Sequence, residues 1–210
     1  MSRILLIAGL LVGLSPFTSI AHEHHGTASP SASAPPRAET RSPAARLENA
    51  RSYFTDLPVV AQDGKERRFF SDVLKDKIVL IYLFYTECKD ICPVVNQTIA
   101  AVQDLLGDRV GTDITLISIT TDPARDTPPV VKKYSEYFGP GLGWLFLTGE
   151  KQNIETIVRR LGQTASDPTD HVALLTVGDV AKGKWTKLRP TASEKEIAEM
   201  LRLLAGDRQE

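Results

Sequence analysis

The stretch Ile78-Val79-Leu80-Ile81-Tyr82-Leu83-Phe84-Tyr85-Thr86-Glu87-Cys88-Lys89-Asp90-Ile91-Cys92-Pro93 decides how the rest of the chain reads. Its first seven residues form a continuous apolar run rich in β-branched and aromatic side chains. Such a run predicts a strand covered on both faces, hence central and parallel to a neighbour. The two cysteines follow at once. Pro93 suits the first turn of a helix, and Val94, Ile99, Ala100, Val102, Leu105 and Leu106 give that helix an apolar stripe ending at Gly107. A cysteine pair therefore sits where a buried strand turns into a helix.

Upstream, Val59 to Lys65 followed by Phe69-Phe70 carries an Asp63-Gly64 turn between apolar stretches, the pattern of a β-hairpin. Downstream, a strand from Ile114 to Ile119 stops at Thr121-Asp122-Pro123, and a helix runs from Pro128 or Pro129 to Phe138. Trp144 to Leu147 reads as a strand and Ile154 to Leu161 as a helix. His171 to Thr176 reads as a strand, and Val177 to Trp185 turns the chain back into another. A last helix runs from the cap Ser193, with Glu196 three positions on, to Leu204. Strands alternating with helices predict an α/β domain: a mixed central sheet flanked by helices with an N-terminal β-hairpin, a thioredoxin-like architecture.

The chain has 210 residues, enough for a leader and one domain of ordinary size. Lys+Arg 25 against Asp+Glu 26 leaves a formal charge of −1, so no global field draws nucleic acid or anionic membrane. Arg3, the apolar run Ile4 to Leu14, and Ser19-Ile20-Ala21 have the layout of a secretory signal, predicting residues 1–21 as a signal peptide. The apolar run is shorter than the ~20 residues that span a bilayer, and no cysteine near the cut could carry a lipid. The expected location is outside the cytoplasmic membrane, in a periplasm or on the membrane's outer face, with membrane association only if the leader is retained. Residues 22–50, with three histidines and then a Pro/Ala/Ser-rich stretch, read as a disordered linker, and residues 51–207 as one domain.

Two cysteines cannot build a multi-bridge scaffold, a four-thiolate zinc site or an iron-sulfur cluster. At a helix start, Cys88 and Cys92 lie one turn apart on one face, so both sulfurs can meet one ion or form one disulfide. The helix N-terminus there favours thiolate over thiol. A structural disulfide is the bland alternative, but so short a loop gains little from closure. His171 is the single histidine of the domain. Two thiolates and an imidazole make a soft set that suits Cu(I). Asp90 reads as a solvated turn residue and Asp122 as a strand-end turn former; Asp170 precedes His171 on a strand, where alternation sends their side chains apart. If the leader is cut after Ala21, His22-Glu23-His24-His25 becomes the N-terminus, where the amine, amide nitrogens and His24 suit square-planar Cu(II); a solvated histidine tail is the alternative.

The chain resembles the Sco/SenC family of copper-binding thioredoxin-fold proteins that assist assembly of the binuclear CuA centre of cytochrome c oxidase. The resemblance is carried by Cys88-Lys89-Asp90-Ile91-Cys92-Pro93 after a Phe-Tyr-Thr strand end. Thr121-Asp122-Pro123 with Arg125-Asp126-Thr127-Pro128, Trp144 to Gly149, and Asp170-His171 also match, and the likeness spans residues 52 to 204. It implies that Cys88, Cys92 and His171 bind Cu(I) and also Cu(II), that the dithiol cycles to a disulfide, and that the recipient is an oxidase subunit. Lys89 stands where the family commonly has proline, and Val172 where a small hydroxyl residue is usual. Two functions follow as expectations: a metallochaperone passing copper to an exported enzyme, or a thiol-disulfide oxidoreductase that reduces a partner's cysteines with a thiol reductant behind it. The three residues between the cysteines, and the presence of His171, favour copper delivery.

Overall fold

The computed structural model describes residues 42–163 and 174–206. Seven strands form one sheet in the order β2-β1-β5-β4-β3-β6-β7: β1 (Pro58–Ala61), β2 (Glu66–Arg68), β3 (Ile78–Phe84), β4 (Ile114–Thr120), β5 (Trp144–Thr148), β6 (Leu175–Asp179) and β7 (Lys184–Leu188). The helices are α1 (Pro43–Phe54), α2 (Ile91–Leu106), α3 (Pro128–Glu136), α4 (Lys151–Arg160) and α5 (Glu194–Gly206). Strands β3, β4 and β5 run parallel, while β1, β6 and β7 join antiparallel to their neighbours. The mixed sheet flanked by helices is thus present, with the N-terminal hairpin at one edge.

Every residue of β3 is buried, and alternation divides them between two cores. Ile78, Leu80, Tyr82 and Phe84 face α2 and α5 with both cysteines; Val79, Ile81 and Leu83 face Phe54 of α1 and Ile154, Ile157 and Val158 of α4. The cysteines stand at the C-terminal end of a central strand, on the α2 side.

Three expectations about elements change. The linker reading covers Pro43 to Ala50, yet α1 occupies it. The Ser42 side chain accepts from the Ala45 N–H at 3.2 Å, Pro43 sits in the first turn, and Leu47, Ala50 and Phe54 fall at helical spacing against the core. Three apolar positions among Ala, Arg and Glu gave too faint a stripe to read. Phe69-Phe70 do not continue the hairpin. They begin a π-helical turn, Phe69–Leu74, because a strand would send adjacent side chains to opposite faces while this turn buries Phe69, Phe70, Val73 and Leu74 together. On α2, Val94 and Leu105 point outward, 59% and 41% exposed, and Val95 and Asn96 take the inner face. The part of the expected strand from His171 to Ala173 lies outside the described residues; β6 begins at Leu175.

Candidate functional site

Cys88 lies in the loop after β3 and Cys92 in the first turn of α2, both buried and both free thiols. The Cys92 backbone N–H donates to the Cys88 Sγ at 3.4 Å. Pro93 offers no N–H, and the Asp90 side chain, at the N-cap, makes no cap bond. The Cys88 sulfur therefore does the capping that a Ser or Asp oxygen does elsewhere. The two cysteines are brought together as expected, but Cys88 stands in the loop ahead of the Asp90 N-cap rather than on the first turn of the helix.

The thiolate expectation does not hold for Cys92. Burial, reinforced by the neighbouring Cys88 sulfur, pushes its thiol up to about 12, against the opposing pull of the Tyr82 hydroxyl and the Tyr85 backbone. Taking a thiolate out of water costs more than the end of one helix returns. Cys92 is thus a protonated sulfur at neutral pH. An ion entering here would have to displace a proton.

A layer of tyrosines encloses the sulfurs. The Tyr82 hydroxyl is buried beside Cys92 without a hydrogen bond of normal geometry, and burial first, then the cysteines, shift its ionisation upward. Tyr134 is raised chiefly by burial and stacks on Phe84 with ring centroids 5.1 Å apart. Asn96 donates to the Tyr134 hydroxyl at 3.2 Å and accepts from the Ser118 hydroxyl at 3.1 Å; Trp144 Nε1 donates to the same Ser118 oxygen at 3.1 Å. Asn96 follows Cys92 by four positions, so one face of α2 presents the sulfur and then the anchor of a buried polar chain.

Asp126 holds the loop that carries Cys88. Its carboxylate accepts from the Thr86 N–H at 3.1 Å and from the hydroxyls of Thr86 and Thr120, and the Asp126 carbonyl accepts from Thr148 Oγ1 at 2.6 Å. The carboxylate thereby ties the cysteine loop to the end of β4, and the Asp126 carbonyl extends the tie to β5. Burial nonetheless raises its pKa. Asp122 behaves as the turn former expected, paired with Arg125 at 2.7 Å.

Tyr82, Asn96, Ser118 and Asp126 were not singled out for a role in the sequence. Tyr82 is the one hydroxyl within an otherwise apolar strand run, and Asn96 the one amide on the inner face of α2. Those oddities were the available signal.

His171 and Asp170 lie outside the described residues, as do His22, His24 and His25. Among the described residues no third Cys, His, Asp or Glu joins the two sulfurs to complete a metal cluster. Two soft sulfurs brought together beside aromatic rings are the donor chemistry that suits a soft monovalent ion.

The SCO1/SenC family profile matches residues 50–205. An SCO2-like protein of Rickettsia felis is 34% identical over 158 residues, covering 70% of this chain and 74% of its own. The structure of Bradyrhizobium japonicum ScoI with copper bound aligns with a TM-score of 0.59 and 28% identity, covering 70% of this chain and 96% of that one. BsSco, a member of the Sco family of cytochrome c oxidase assembly proteins in which a disulfide switch was identified, shares the fold with a TM-score of 0.60 at 21% identity, over 73% of this chain and 93% of its own.

Proposed function

The chain belongs to the SCO1/SenC family, and on that premise we propose that it is an exported copper-binding protein that delivers copper for cytochrome c oxidase assembly. The observation that carries the reading is the pair of free sulfurs, Cys88 in the loop that ends a buried strand and Cys92 in the first turn of the helix it feeds, with the Cys92 N–H on the Cys88 sulfur. The copper held by the similar Bradyrhizobium protein supports it. Cys88 and Cys92 bind Cu(I) as thiolates, releasing their protons, and His171 supplies the third ligand. Copper leaves by ligand exchange: an incoming donor of the recipient displaces one sulfur, the metal keeps its oxidation state, and the freed sulfurs regain protons. Residues 1–21 direct export to the periplasm, and the recipient is an oxidase subunit.

Anaerobic Cu(I) loading followed by X-ray absorption tests the site. The expected first shell is two sulfurs and one nitrogen. His171→Ala should lose the nitrogen and bind more weakly, and Cys88→Ser with Cys92→Ser should lose the copper. Unchanged affinity in either variant overturns the assignment of that ligand. Dithiol-disulfide exchange should survive His171→Ala, which separates copper retention from thiol chemistry.

A further inference from the structure

On the sheet face away from the cysteines, a cleft of about 550 Å³ opens between α1, the end of α4 and the β6-β7 hairpin. That volume falls in the range of small-molecule sites. Its floor is apolar: Phe54 and Leu161 are buried there, and Trp185 lies against Phe54 with ring centroids 4.9 Å apart. Its rim is cationic. Arg46, Arg160 and Lys187 line it, and no acidic side chain does among the described residues.

None of these three cations makes an ion pair among the described residues. The Nε of Arg46 is buried with no hydrogen-bond partner. A buried guanidinium donor without an acceptor is a costly arrangement that calls for an explanation. Gly162, at φ +77°, closes α4, and a Cβ there would stand 3.4 Å from Lys187 Nζ. The ammonium thus lies across the end of the helix on which Arg160 sits, gathering like charges at one mouth.

We propose that this cleft binds a small organic anion with an apolar body, its carboxylate or phosphate head held by Arg46, Arg160 and Lys187 and its body laid on Phe54, Leu161 and Trp185. Guanidinium groups supply paired donors for such a head. The apolar floor excludes inorganic anions as the intended occupant, since they would leave it wet and unused. The cysteines belong to the opposite core, so occupancy does not require copper.

Titrating the protein with decanoate, and separately with decanol, by calorimetry and tryptophan fluorescence tests the proposal. Trp144 is fully buried on the other face, so an emission change reports Trp185. Decanoate should bind saturably at one per chain and at least about tenfold more tightly than decanol, a gap of ~1.4 kcal/mol. Arg160→Glu with Lys187→Glu should weaken decanoate binding by about tenfold or more, with Cu(I) loading unchanged. Arg160→Gln, at an exposed position, gives a smaller loss and serves if the double variant fails to fold. Absence of saturable binding, equal affinity for decanol, or affinity unchanged in these variants overturns the proposal. None of those results bears on the copper site.

Discussion

The Cys92 backbone N–H reaches the sulfur of Cys88, 3.4 Å away, so the first cysteine caps the helix that carries the second. The two residues therefore differ in kind. Cys88 retains 7% of its surface and holds its place through a sulfur that accepts a hydrogen bond, while Cys92 retains none and sits inside the helix.

Alkylation should be asymmetric. Cys88 is the sulfur a reagent can reach, and Cys92 is sealed and held protonated by burial. With iodoacetamide at neutral pH, peptide mass spectrometry should find Cys88 labelled about tenfold faster or more. Equal rates would show that the turn opens readily.

Removing the Asp126 carboxylate should loosen the cysteine loop. Asp126→Ala strips acceptors from the Thr86 N–H and from two threonine hydroxyls, at a cost of about 1–3 kcal/mol for each buried donor left unpaired. Urea unfolding measures that loss, and copper retention should fall with it.

Asp126 also sets a pH dependence. Burial raises its folded pKa, so the fold favours the protonated carboxyl. Its contribution to stability is fully present below the ordinary carboxylate range and is lost as pH rises through the raised value. Urea melts of the parent protein and Asp126→Asn across that interval should show a falling component in the parent that the variant lacks.

Ser118→Ala should destabilise through two orphans at once. The hydroxyl accepts from Trp144 Nε1 and donates to Asn96 Oδ1, all three residues being fully buried. An expected loss of about 1–3 kcal/mol per orphaned group is measurable by chemical denaturation. Tyr134, freed from a fixed Asn96, should change its environment in the same variant.

Gly178→Ala should strain the β6-β7 pair. The added methyl would stand 2.2 Å from Trp185 Cε3, on the residue directly opposite in the register. Moving the ring costs about 1–3 kcal/mol. A lower melting temperature and altered Trp185 emission should appear together.

Much of the fold was legible because its signals are local. The uninterrupted run Ile78 to Phe84, rich in β-branched and aromatic residues, read as a strand covered on both faces and is one, and the Ser193 hydroxyl does accept from the Glu196 N–H at 3.2 Å, as its spacing suggested. The place of the cysteine pair between a buried strand and a helix was legible for the same reason, although Cys88 stands in the loop ahead of the helix rather than on its first turn. α1 and the turn at Phe69-Phe70 were not. Each depends on what the side chains meet across the domain rather than on their own periodicity.

The sequence alone determined the alternation of strands and helices from β3 onward, the place of the two sulfurs at a strand-to-helix junction, and a family whose fold the chain adopts. Only the tertiary structure decided the protonation of Cys92. A helix N-terminus by itself argues for thiolate, but β3, α2 and α3 close over Cys92, and desolvation outweighs the helix end. Burial depends on everything packed around a group, including Tyr82 and Tyr134 from separate elements. The same holds for Asp126, which meets Thr86 from 40 residues away and fixes the loop that Cys88 stands on.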